Sequence, residues 1–200
     1  MIATAAGSDR AARLGRFVRP AWISLGLALI VGGRWAATVA EAPALLVGTI
    51  FGVIMVLLAR AAGSRVAWPR PTALVIGLVG AALLVALAIG ASQLAGQPLQ
   101  LVPKTQFGPW ALITILVASA EELVLRGALF DALRDSAGLA AAVIVTSAAF
   151  ALMHVPLYGW HVVPLDLGVG VFLAGLRLAS GSVAAPATAH IVADLATWWV

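Results

Sequence analysis

The 200-residue chain is 62% hydrophobic and only 10% charged, with a net charge of +4 and no cysteine; its mean hydropathy is +1.07. A soluble domain carries about 25% charged residues, so the composition excludes an ordinary water-soluble protein and indicates one integral membrane domain over 1–200. The lack of cysteine rules out disulfides, cysteine-based metal sites and a cysteine nucleophile. Eleven of the twelve basic residues are Arg and flank apolar runs, which reads as an orientation signal and argues against a nucleic-acid partner. The Ala- and Arg-rich, Lys-poor balance points to a GC-rich bacterium.

A membrane-crossing helix needs about 20 apolar residues, with about 17 to 25 tolerated. With Pro, Gly and charge as punctuation, the predicted spans are 20–39, 44–62, 72–95, 109–134, 138–155, 163–179 and 183–200. Backbone groups in lipid must be paired internally, so the fold class is all-α: a polytopic transmembrane bundle of seven spans, or eight if one was missed. Residues 1–105 are read as N-terminal accessory spans and 106–200 as a four-helix catalytic core. The first twenty residues hold Arg10, Arg13, Arg16 and Arg19 but no apolar stretch of signal-peptide type, which predicts a retained first helix.

Arg and Lys alternate between connections. The N-terminal tail, 60–70 (Arg60, Arg65, Arg70) and 126–137 (Arg126, Arg134) are basic, whereas the alternate connections hold Glu41, Lys104 alone, and His161 with Asp166. The positive-inside rule then places the N-terminus in the cytoplasm of a cell (plasma) membrane. Trp22, Trp35, Trp68, Trp110, Trp160, Trp198 and Trp199 all fall near predicted span ends, as an aromatic belt requires. Gly48 and Gly52 form a GxxxG pattern, read as close packing inside the bundle in preference to a dimer face. Arg34 lies near a span end and is expected to snorkel to the interface.

The second half is different. An ionisable side chain at bilayer depth is expensive and marks function by default. Glu121 and Glu122 sit about half-way along the fourth predicted span and, about 100° apart on the helix, face different directions. Glu122 and Arg126 are spaced i, i+4 for a salt bridge, which leaves Glu121 without a partner in its own helix and suited to general acid–base work. His154 closes the fifth span. Counted from the turn near 136–138, Glu121 and His154 lie roughly 23–26 Å away on antiparallel neighbours, at matching depth. His190 and Asp194, again i, i+4, face one side of the last helix, although His190 stands only about 14 Å from its own turn. Asp166 and His161 read as solvated loop residues. Ser119, Ser147 and Thr114 lack the surroundings of a nucleophilic serine, and no HExxH is present.

Two acids and two histidines converging in a membrane suit the activation of one water. Glu121 with His154 would take its proton, and His190 with Asp194 would stabilise an oxyanion. Alternatively, Glu121, His154, His190 and Asp194 would hold Zn²⁺ with an open position for that water.

These residues resemble the CPBP intramembrane proteases, which include the CAAX prenyl-protein endopeptidases and bacteriocin-processing proteins. EExxxR matches Glu121, Glu122 and Arg126, followed by Gly127, and FxxxH matches Phe150 and His154. A Phe/Gly-rich helix with a Gly-Ser turn matches Phe172, Gly175, Gly181 and Ser182, and HxxxD matches His190 and Asp194. The resemblance implies that Glu121 and His154 activate water, that Arg126 holds Glu122, and that His190 and Asp194 bind the oxyanion. Asp194 stands where many members have Asn, and an ionised carboxylate cannot donate a hydrogen bond, so orientation of His190 or metal binding suits it better. The implied substrates are membrane-associated peptides or proteins, lipidated ones among them. Two other classes compete: a transporter or proton relay, which internal inverted repeats would favour and the chain does not show, and a catalytically silent scaffold.

Overall fold

A computed structural model describes residues 3–64, 68–94 and 106–199. Lys104 and Arg65, used above for orientation, lie outside the described residues, as do the side chains of Arg10 and Arg13. The described residues form helices and turns with no strand: α1 (Ala3–Val39), α2 (Ala44–Ala61), α3 (Pro71–Leu94), α4 (Phe107–Glu122), a π-helical stretch (Leu123–Leu129), α5 (Phe130–Ala137), α6 (Leu139–Tyr158), α7 (Val163–Ser180) and α8 (Ala184–Ala196). Each predicted span overlaps a helix, although α1 begins at Ala3 and α8 ends at Ala196. Taken with the π-helical stretch, α4 and α5 make one continuous rod.

Five helices are long and apolar enough to cross a membrane: Gly15–Val39, Ala44–Ala61, Pro71–Gly90, Leu139–Tyr158 and Trp160–Ser180. The predicted spans 109–134 and 183–200 are absent from this set. The rod carries Glu121 and Glu122 at its middle and Arg126, Asp131, Arg134 and Asp135 beyond, and α8 has only 13 residues, about 20 Å at 1.5 Å per residue. Both pack against several other helices instead. The rod packs on α2, α8 and α6, while α8 lies between α3, α4 and α7.

Boundaries differ where helix-breaking residues are tolerated. The fifth predicted span stops at 155, before Pro156, but α6 runs through Pro156 and ends at Gly159 (φ 89°). His154 therefore sits one turn inside the helix. Asp166 and His161 are not loop residues either: His161 occupies a short 3₁₀ turn and Asp166 the first turn of α7. The turn expected near 136–138 falls at Gly138, whose φ of 90° suits glycine.

Small residues let the helices approach. A Cβ on Gly48 would stand 2.8 Å from the Ile113 side chain, and one on Gly52 2.8 Å from that of Leu116. The GxxxG face is therefore spent on α2–α4 packing within the bundle. Gly77 on α3 is tighter, because its Cβ would meet the Ala185 carbonyl oxygen at 2.7 Å and Thr188 Cβ at 2.7 Å. Backbone cannot swing aside, so Gly77→Ala should destabilise the protein by about 1–3 kcal/mol. Gly90→Ala, with nothing within 4 Å, should not, and melting midpoints of the two variants in detergent decide the point.

Candidate active site

The rod brings Glu121 and Glu122 into the bundle interior, and both are buried with Arg126. Arg126 Nη1 donates to Glu122 Oε1 at 2.8 Å, and both side chains are 0% exposed. Its Nη2 donates to the Gly170 carbonyl at 3.0 Å, and its guanidinium lies 4.7 Å from the Phe150 ring centroid. Gly170 is needed for this approach, since a Cβ there would stand 2.9 Å from Ser147 Cα. The pair thus ties α7 and α6 to the rod.

A π-helical stretch shifts the backbone bonding from i+4 to i+5, and such segments are frequent at functional sites. Two carbonyls within it receive side-chain donors. Ser64 Oγ donates to Leu123 O at 3.1 Å, and Arg177 Nε donates to Arg126 O at 3.0 Å. Arg177 Nη2 also reaches Asp131 Oδ1 at 3.2 Å. Gly127, just after the arginine, has Ser64 Oγ 3.0 Å from where its Cβ would be.

His190 enters from α8 between the two glutamates. Its Nδ1 is 3.0 Å from Glu122 Oε1, and since a carboxylate engaged by Arg126 only accepts, Nδ1–H donates. Its Nε2 then faces Glu121 Oε2 at 3.9 Å and Asp194 Oδ2 at 3.4 Å. Depth counting left His190 short of Glu121, yet the two meet because the turns end at different heights. The rod continues about 23 Å past Glu122 to Ala137, whereas His190 is only about 9 Å from the start of α8.

His154 Nδ1 donates to the Phe150 carbonyl at 2.8 Å, which leaves Nε2 of the neutral ring as the acceptor. Asp166 Oδ2 is 3.6 Å from that same Nδ1, and Tyr158 stacks on the ring at 6.0 Å between centroids. His154 and Glu121 do not come within ion-pair reach. Phe150 is the shared wall, edge-on to His154 at 4.7 Å and to His190 at 5.3 Å.

Arg34 does not snorkel. Its Nη1 lies 3.6 Å from Glu121 Oε1 and its guanidinium 4.3 Å from the centroid of the buried Phe51 ring. The sequence signal was present, an arginine inside an apolar run, but its partner lies 87 residues away and no local spacing reveals it. Asp166 was missed for the same kind of reason, because its position after Pro156 and Pro164 disguises the start of α7.

Among the described residues, no set of three or more His, Asp or Glu side chains is arranged to hold a metal ion. Glu121 and Asp194 face one nitrogen of His190, while His154 is turned to the Phe150 carbonyl and Asp166. The donors as they stand do not fit a resident zinc. A cavity of about 580 Å³ lies on another face of the rod, lined by Ser119, Leu123, Gly127, Arg177 and the first turn of α8. None of the clustered acids and histidines lines it, so it is not part of this site.

Fold and site together define a membrane-embedded helical protein with an acid–histidine cluster built around a buried arginine. Residues 103–196 match the family described as type II CAAX prenyl endopeptidase Rce1-like. That segment, a little under half of the chain, contains all four motifs quoted above and is of the CPBP/CAAX protease family. No curated protein and no solved structure matches the chain.

Arg126→Ala strands Glu122 as an uncompensated buried charge, a change that costs about 3–5 kcal/mol. A large drop in the melting midpoint of the purified protein is expected, and an unchanged midpoint would show that the pair does not hold the bundle.

Proposed function

We propose that the chain is an intramembrane endopeptidase that hydrolyses peptide bonds of membrane-associated peptides or proteins by water activation at Glu121. The observation that carries this reading is the burial of Glu121 beside His190, with His190 held by the Glu122–Arg126 pair, inside the segment that matches the CAAX protease family.

A substrate water hydrogen-bonded to Glu121 and to His154 Nε2 would bridge the separation between those side chains. Glu121 takes its proton as the oxygen attacks the carbonyl carbon of the scissile bond. Negative charge develops on the carbonyl oxygen, and protonated His190, its Nδ1–H committed to Glu122, offers Nε2–H to that oxygen. Collapse of the tetrahedral intermediate breaks the C–N bond, and the proton on Glu121 passes to the departing amine. Asp194 is 44% exposed on its side chain, and as a carboxylate it supports the orientation of His190 and not oxyanion donation.

On this reading residues 106–200 form the catalytic core. The N-terminus is cytoplasmic and the enzyme works in a bacterial plasma membrane on peptide or protein substrates, lipidated ones included. Glu121→Gln is nearly isosteric and should abolish cleavage while leaving the protein folded. New protein N-termini in membranes of cells expressing wild type or Glu121→Gln at equal levels check this. Cleavages seen only with wild type support hydrolysis and identify substrates, and identical profiles with both proteins folded would sink it.

A further inference from the structure

Arg34 and Phe51 lie outside the segment that the family match covers, yet they close one side of the acid–histidine cluster. Arg34 stands on α1 about 7.5 Å from the helix end at Val39, by the 1.5 Å rise per residue. Its long side chain is able to reach the interface from there. It turns inward instead: the side chain is 18% exposed and meets Glu121 Oε1. The other carboxylate oxygen, Oε2, faces His190 Nε2.

Each oxygen of Glu121 therefore has its own cationic neighbour, one from α1 and one from α8. Arg126 cannot take over from Arg34, because its guanidinium donates to Glu122 and to the Gly170 carbonyl. Phe51 holds the plane of Arg34, and a guanidinium stacked on an aromatic face loses little freedom when it engages a carboxylate. The other ionisable groups facing Glu121 are Arg126 from its own rod, His154 and Tyr158 from α6, and Asp194 from α8. Among the described residues, no other Arg or Lys stands within ion-pair reach of Glu121.

We propose that Arg34 is a positioning residue of the hydrolysis: it holds Glu121 Oε1 and so fixes the orientation in which the carboxylate meets water and His190. This rests on the reading of Glu121 as the base. It makes the first helix part of the catalytic unit and no longer an accessory.

The test uses the full chain in lipid nanodiscs with a fluorogenic peptide spanning a wild-type-dependent cleavage site. Arg34→Gln should lower kcat on the order of 100-fold, the cost of a misplaced reacting group, with KM little changed. Arg34→Lys, which keeps the charge, should recover much of the loss. A second measurement needs no substrate: melting midpoints of Arg34→Gln, Glu121→Gln and the double variant should be non-additive, because each single change strands the other group. Wild-type kcat in Arg34→Gln, no rescue by Lys, or additive midpoints would each overturn the proposal. If Glu121→Gln is inactive while Arg34→Gln keeps full kcat, only the role of Arg34 is lost. If Glu121→Gln cleaves as wild type does, the hydrolysis reading fails and this proposal with it.

Discussion

The ion pair between Glu122 and Arg126 is the constraint on which the bundle depends. Both side chains are fully removed from solvent, and two charges in a low-dielectric interior persist only if the protein replaces the hydration they lose. Arg126 receives a carboxylate oxygen, the carbonyl of Gly170 and the face of Phe150, while Glu122 receives Arg126 and His190. Those partners come from α6, α7 and α8. The contacts of this one pair therefore draw three further helices onto the rod, although Glu122 Oε2 and Arg126 Nε stay without a hydrogen bond among the described residues, and the small residue at Gly170 is what lets α7 come close enough.

The π-helical stretch belongs to the same solution. It begins immediately after Glu122 and contains Arg126, and the altered backbone bonding is accompanied by side-chain donors from Ser64 and Arg177. Arg177 in turn binds Asp131, so the end of α7 is locked to the start of α5. A helix carrying six charged residues from its middle onward is unsuited to lipid. It is stable here because surrounding helices meet Glu121, Glu122, Arg126 and Asp131, while Arg134 and Asp135 pair with each other near its exposed end.

From this frame the chemistry of the site follows. His190 Nδ1 is engaged by a carboxylate that is itself immobilised, so the ring has one orientation and directs Nε2 at Glu121 and Asp194. His154 is fixed differently, by its own helix through the Phe150 carbonyl, with Asp166 nearby. Phe150 separates and supports both imidazoles. The groups proposed to do chemistry are thus held by the groups that hold the fold, which ties activity to stability at this centre.

Much of this was legible in the sequence, because it is governed by local spacing. Apolar run lengths, with Pro and Gly as punctuation, located every helix. The i, i+4 spacing of Glu122 and Arg126 fixes their pairing on any helix, and the spacing of His190 and Asp194 puts them on one side. The four motifs in order pointed to the protease family. What local spacing does not contain is which helices become neighbours and at what height their turns end. Arg34 reads as a snorkelling residue and Asp166 as a loop residue until α1 is packed on α2 and the second half of the rod, and α7 on α6. His190 appears too shallow until the rod is seen to extend past the turn before α8. A helix's own period determines which residues share a face, whereas the partner of that face is set by close packing between elements far apart in the chain, and that the tertiary structure alone decided.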